Sequence, residues 1–201
     1  MKIEKIITEL KRHIDTRDYR SDPFLVLIST ILSQRTRDEK THIAASRLFS
    51  RYKTPAKVAG APVEEIQELI KEVGFYRVKA GRIKNISRII EERYGGRVPE
   101  DIEELLSLPG VGRKTANCVM LFGFGKSAVP VDTHVHRISN RLGIVNTKTP
   151  ERTEQELMKN VSKKRWRDLN SLFVGFGQSI CRPVNPKCCE CPVAVYCCLR
   201  K

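Results

Sequence analysis

The sequence predicts an all-α protein. Apolar residues recur at helical spacing along most of its length, no stretch sustains a two-residue alternation, and no strand–helix–strand rhythm occurs. The first element is read from MKIEKIITELKRHI, where Ile3, Ile6, Ile7, Leu10 and Ile14 line one face of an amphipathic helix. Asp22-Pro23 supplies an N-cap and a first helical position before FLVLISTILSQ. Thr54-Pro55 and Pro62 open two short helices, the second carrying Val63, Ile66, Leu69 and Ile70 as its apolar stripe. A longer helix runs from Tyr76 to Tyr94, with Ile83, Ile86, Ile89 and Ile90 among basic residues, and stops at Gly95-Gly96. Asp101 opens DIEELLSL, and further helices follow Arg113, Asp132, Pro150 and, approximately, Arg167.

A chain of 201 residues buries a full core, in one domain or two small lobes. Its 37 Lys and Arg stand against 23 Asp and Glu, a formal charge of +14. An ion-pair-rich surface would account for the number of charges but not for their imbalance. A polyanion, and so nucleic acid, is the expected partner. No apolar run reaches the ~20 residues of a membrane span. The N-terminal segment lacks a signal-peptide core, so a reducing prokaryotic cytoplasm, on the nucleoid, is the expected location. There, clustered cysteines serve metal binding more often than disulfides.

The densest chemistry lies between Leu108 and Asp132. LPGVGRKTAN reads as a helix end, a glycine hairpin and a new helix. Gly110 and Gly112 leave the backbone N–H groups open to close approach. The helix beginning near Arg113 presents unpaired amides and a positive dipole end, an anion site. Lys114 sits in its first turn, where a cation is disfavoured and the neutral amine is more accessible. Eighteen residues after Lys114, Asp132 starts another helix in VPVDTH. A phosphate-gripping hairpin with an amine and a carboxylate suits chemistry on a nucleic-acid backbone. Each residue also has a plainer reading: Lys114 as a phosphate contact, Asp132 as an ordinary N-cap.

The C-terminus adds an independent signal. Cys181, Cys188, Cys191 and Cys197 form C-x6-C-x2-C-x5-C. Four thiolates in such a window suit either tetrahedral zinc or a 4Fe–4S cluster. Cys189 and Cys198 adjoin this set, and Cys118 reads as a core residue.

LPGVGRKTAN followed by VDTH, together with the cysteine spacing, resembles the helix–hairpin–helix DNA glycosylases, most closely the endonuclease III branch, along nearly the whole chain. The resemblance implies a two-lobed fold. Residues 16–127 would form a helical barrel holding the helix–hairpin–helix at about 105–124, and residues 1–15 with 128–201 an iron–sulfur lobe. The active site would occupy the cleft between them. The resemblance favours a 4Fe–4S cluster over zinc and implies a bifunctional glycosylase and AP lyase. In that reading Lys114 attacks the sugar C1′ and Asp132 stabilises developing positive charge or helps deprotonate the lysine. Oxidised pyrimidines of the thymine glycol type in duplex DNA are the implied substrates, and a monomer suffices. A mismatch-directed glycosylase of the same fold, or a binding module that uses the hairpin without catalysis, are the alternatives.

Two loops are expected at the lesion. LSQRTRD, Leu32 to Asp38, resembles the loop whose polar side chain fills the gap left by an extruded base. The family's glutamine position aligns with Arg35, while Gln34 comes one residue earlier, so either could enter the stack. VGFY resembles the loop carrying an apolar wedge, with Phe75 where leucine is common; core packing is its plainer reading. Arg113 is expected at the phosphate beside the hairpin glycines. Arg182 and Lys187, between the first two cysteines, would offer cations to the duplex. His134 and His136 face different sides of a helix, a poor arrangement for a shared metal, with His134 expected to support Asp132 or to pack. Lys163-Lys164-Arg165 reads as a solvated face.

Overall fold

The computed structural model describes residues 2–15 and 21–198; these are helices and connecting turns, with no strand. The chain divides into two compact units: Met1–Tyr19 with Ser127–Lys201, and Arg20–Lys126. The boundary expected at residue 16 lies outside the described residues.

In the unit Arg20–Lys126, α2 (Pro23–Ser33) starts where Asp22 accepts the amides of Phe24 and Leu25. It is apolar on almost every side, and Leu27, Ile28, Ile31 and Leu32 are fully buried. Such a helix must be surrounded. Around it lie α3 (Asp38–Arg51), α4 (Pro55–Gly60), α5 (Val63–Leu69), α6 (Tyr76–Tyr94), α7 (Ile102–Ser107) and α8 (Arg113–Cys118). Leu48, Ile66, Ile83, Ile86, Ile90 and Val119 complete this core. α6 ends as expected, at Gly95 with φ +59. α3 carries no clear apolar stripe: it buries Thr41, Ala44 and Leu48 while Ile43 is exposed. Beyond α8 the helix continues as a π-turn, Val119–Gly123, which nothing in the sequence pattern announces. It ends where Gly123 meets the start of α2, so closely that a Cβ there would stand 2.9 Å from Pro23 Cα.

In the other unit, α1 (Lys2–His13) buries Ile3, Ile6, Ile7 and Leu10 against α9 (Thr133–Arg141), α10 (Pro150–Asn160) and α11 (Trp166–Ser179). Val135, Ile138, Leu157, Leu169, Phe173 and Phe176 fill the space between them. α11 begins at Trp166, one residue before its expected start. In the basic run before it, Lys163 and Lys164 are exposed, as expected, and Arg165 is not. Arg165 is half-buried and bonds Glu4 at 2.8 Å and Asp168 at 3.3 Å, tying α1 to α11, while Lys163 lies over the Trp166 ring. Among the described residues, no helix is long and apolar enough to cross a membrane.

Candidate active site and cysteine cluster

The hairpin forms because Leu108-Pro109 cannot continue α7, and Gly110 turns the chain at φ +76. Val111 anchors the turn in the core. The space over Gly110 is taken by the Arg82 guanidinium of α6; a Cβ at Gly110 would overlap it at 2.4 Å. Gln34 closes the arrangement, donating to the Gly110 carbonyl at 3.3 Å and accepting from Arg82 at 3.3 Å. Gly112 is different: its φ is ordinary and a Cβ there would meet nothing in the protein. The fold does not require a glycine at that position, and the exposed backbone there remains open to a ligand. Arg113 is exposed at the start of α8, and Lys114 is half-buried in its first turn. Among the described residues no acceptor lies within hydrogen-bonding reach of the Lys114 ammonium.

Asp132 belongs to the other unit. It is the N-cap of α9, and one carboxylate oxygen, Oδ1, accepts the Val135 amide at 2.8 Å. Its segment is held from α11, where buried Asn170 donates to the Pro130 carbonyl at 2.8 Å. His134 does not support Asp132; its ring nitrogen pairs with Arg137 at 3.1 Å. His136 turns the other way, to Thr153 at 2.6 Å.

The cysteine segment is fixed from α9. Arg137 donates to the Cys181 carbonyl at 2.8 Å, and one turn later Arg141 donates to the carbonyls of Arg182 and Pro183 and to Cys181 Sγ at 3.4 Å. Cys181, Cys191 and Cys197 pack against the core of this unit, while Cys189 and Cys198 are exposed. Burial pushes the Cys191 thiol up, against the pull of the Val193 amide, and Cys181, Cys197 and Cys188 add to the push. No cysteine is in a disulfide, and among the described residues no group of three or more His, Cys, Asp or Glu side chains is already arranged to hold a metal ion. The donor chemistry fits a soft, thiolate-bound centre. Arg182 and Lys187 are exposed on this segment, Lys187 within 3.3 Å of Glu190. Cys118 is buried, as expected of a core residue.

The two loops meet within the unit Arg20–Lys126. Arg35 and Phe75 both stand in the left-handed region, at φ 53 and φ 58, which side chains seldom occupy. Phe75 is 63% exposed, so core packing does not explain it. The Arg35 guanidinium lies 6.0 Å from the Phe75 ring centre. Gln34 instead turns inward to the hairpin and Arg82.

Residues 28–163 match the family model of the HhH-GPD superfamily of base excision DNA repair proteins. Endonuclease III of Thermotoga maritima is 54% identical over 97% of this chain and 92% of its own length. A solved non-covalent endonuclease III–DNA complex superposes with a TM-score of 0.89 at 34% identity, covering 100% of this chain and 99% of that one. A trapped endonuclease III–DNA covalent intermediate gives 0.88 at 35%, over 98% and 95%. The chain belongs to the HhH-GPD superfamily of base excision DNA repair proteins, in its endonuclease III group, and is a DNA glycosylase/lyase. Proteins of that group carry a 4Fe–4S cluster.

Proposed function

We propose that this protein removes oxidised pyrimidines of the thymine glycol type from duplex DNA, acting as a monomer with Lys114 as nucleophile. The observation that carries the reading is the half-buried Lys114 amine, without an acceptor among the described residues, in the first helical turn after a hairpin with exposed backbone. The Lys114 Nζ lone pair forms a bond to C1′ as the N-glycosidic bond breaks, and the base leaves with the electron pair of the broken bond and takes a proton. The sugar ring opens to give an imine between Nζ and C1′. Loss of a C2′ proton then expels the 3′ phosphate by β-elimination. Asp132 stabilises positive charge on the sugar through the carboxylate oxygen that the helix cap leaves over. The family resemblance to a trapped covalent enzyme–DNA intermediate supports a covalent route.

Gly110, Gly112 and Arg113 hold a phosphate beside the lesion, and Arg35 with Phe75 enters the gap left by the extruded nucleotide. Gln34, engaged with Gly110 and Arg82, orients the hairpin rather than entering the stack. Cys181, Cys188, Cys191 and Cys197 would hold a 4Fe–4S cluster, which supplies a rigid anionic centre for the segment carrying Arg182 and Lys187.

Borohydride trapping tests the nucleophile. Adducts and strand breaks are expected on a thymine glycol duplex and on an abasic duplex, and both are lost in Lys114→Ala. Adducts on the abasic duplex alone would retain the lyase and discard the oxidised-pyrimidine assignment. No adduct from folded, cluster-loaded protein would leave a binding module.

A further inference from the structure

Lys79, on α6, is 3% exposed, yet no carboxylate neutralises it among the described residues. Its ammonium donates to the carbonyls of Leu32 at 2.7 Å and Gln34 at 2.6 Å, and to Thr36 Oγ1 at 3.0 Å. Three donors meet three acceptors, so the ammonium is saturated. Two of those acceptors are carbonyls at the C-terminal end of α2, where a cation is favoured. Thr36 Oγ1 is likewise fully used. It accepts from Lys79 and from the Gly74 amide at 3.1 Å, and donates to the Gln34 carbonyl at 3.3 Å. Gly74 is correspondingly close to the other loop, since a Cβ there would stand 3.0 Å from the Arg35 carbonyl. The two bridged loops carry, beside the bridge, Arg35 and Phe75, both exposed and both left-handed. A left-handed backbone at two side-chain-bearing residues is strained and persists only where the surroundings over-determine it.

We propose that Lys79 and Thr36 form a buried strut whose function is positioning: it locks the loops 34–36 and 73–75 together so that Arg35 and Phe75 are preassembled as one wedge before DNA arrives. The inference rests on the gap-filling role given above to this pair. Preassembly removes the ordering cost at the moment the duplex opens, which strengthens lesion engagement without touching the bond-breaking step. Neither Lys79 nor Thr36 contacts the reacting atoms in this scheme.

The test is Thr36→Val, which keeps the side-chain shape and removes the hydroxyl, with Thr36→Ser as the conservative rescue. A duplex carrying 2-aminopurine opposite thymine glycol reports unstacking as a fluorescence rise on binding. Thr36→Val is expected to lose most of that rise and to raise KM about tenfold with kcat within about twofold, and Thr36→Ser to restore both. Loss restored by serine supports the strut whichever member of the pair fills the gap. A wild-type rise in Thr36→Val but not in Arg35→Ala overturns the strut and leaves the gap-filling reading standing. A wild-type rise in Thr36→Val, Arg35→Ala and Phe75→Ala alike overturns both. Amide exchange at Gly74 in the unliganded wild-type protein reads the same strut without a variant. Protection is expected, and exchange at the rate of an open loop overturns the inference.

Discussion

Asp132 is the residue at which the proposed mechanism adds a chemical duty to a structural one. Its Oδ1 caps α9 through the Val135 amide, fixing the carboxylate in place, and the second oxygen takes no hydrogen bond from the described residues. The two duties separate by substitution. Asp132→Asn keeps an accepting oxygen at the cap and removes the charge, so thermal stability is expected to stay within a few tenths of a kcal/mol while single-turnover base release collapses. Asp132→Ala loses the cap as well and is expected to cost about 1 kcal/mol of stability. Equal base release by Asn and wild type would reduce Asp132 to a cap. The cap was legible from Asp-Thr before an apolar-periodic run, as were those at Asp22, Thr54 and Asp101. The φ values of Arg35 and Phe75 were not. Neither is glycine or asparagine, so no residue-type preference announces the left-handed turn, which comes from hydrogen bonds made by residues elsewhere in the chain.

Among the elements, α6 does the most to position the hairpin. Its apolar face, Ile83, Ile86 and Ile90, builds the core, as periodicity predicts. Its first turns carry two cations with different work: Arg82 over Gly110 and Lys79 under the end of α2. Lys79 reads in sequence as one more surface lysine; only tertiary packing buries it, just as only packing explains the π-turn at Val119–Gly123 and the glycine that ends it. Burial pushes the Lys79 ammonium down from 10.5 to about 8, and the charge of Arg82 adds to that push. The sign of the linkage follows. Below pH 8 the amine is protonated in both folded and unfolded chains and contributes no slope. Between about 8 and 10.5 the unfolded chain binds more protons, so this group makes stability rise with pH, by at most about 1.4 kcal/mol per pH unit for one proton. Denaturant unfolding of wild type and Lys79→Met across that window should show their difference shifting toward the wild type as pH rises. A constant difference would mean that Lys79 keeps its ordinary affinity for a proton.

At the scale of the whole molecule, charge is the feature that sequence states most directly. If every one of the 23 acids were paired, 14 of the 37 Lys and Arg would still have no carboxylate to meet (37 − 23). Several acids are spent locally, Glu4 and Asp168 on Arg165 and Glu92 on Arg88, so the surplus lies with residues such as exposed Arg182. Surface pairs of this kind add little stability, which leaves the excess cations for a polyanion. Each phosphate neutralised releases counterions, and the slope of log K against log salt is about −0.9 per contact on duplex DNA. Arg182 and Lys187 differ from the hairpin in what they should do to that slope. The backbone of Arg182 is pinned by Arg141, so its side chain can be truncated without moving the cysteine segment, and Lys187 gives up only an exposed contact with Glu190. The Arg182→Ala, Lys187→Ala double variant should therefore retain its melting temperature and its borohydride adduct at saturating DNA. It should bind undamaged duplex more weakly, with a slope shallower by about 1.8. An unchanged slope would remove both residues from the DNA-binding surface, and a lost adduct at saturation would instead assign them to the chemistry.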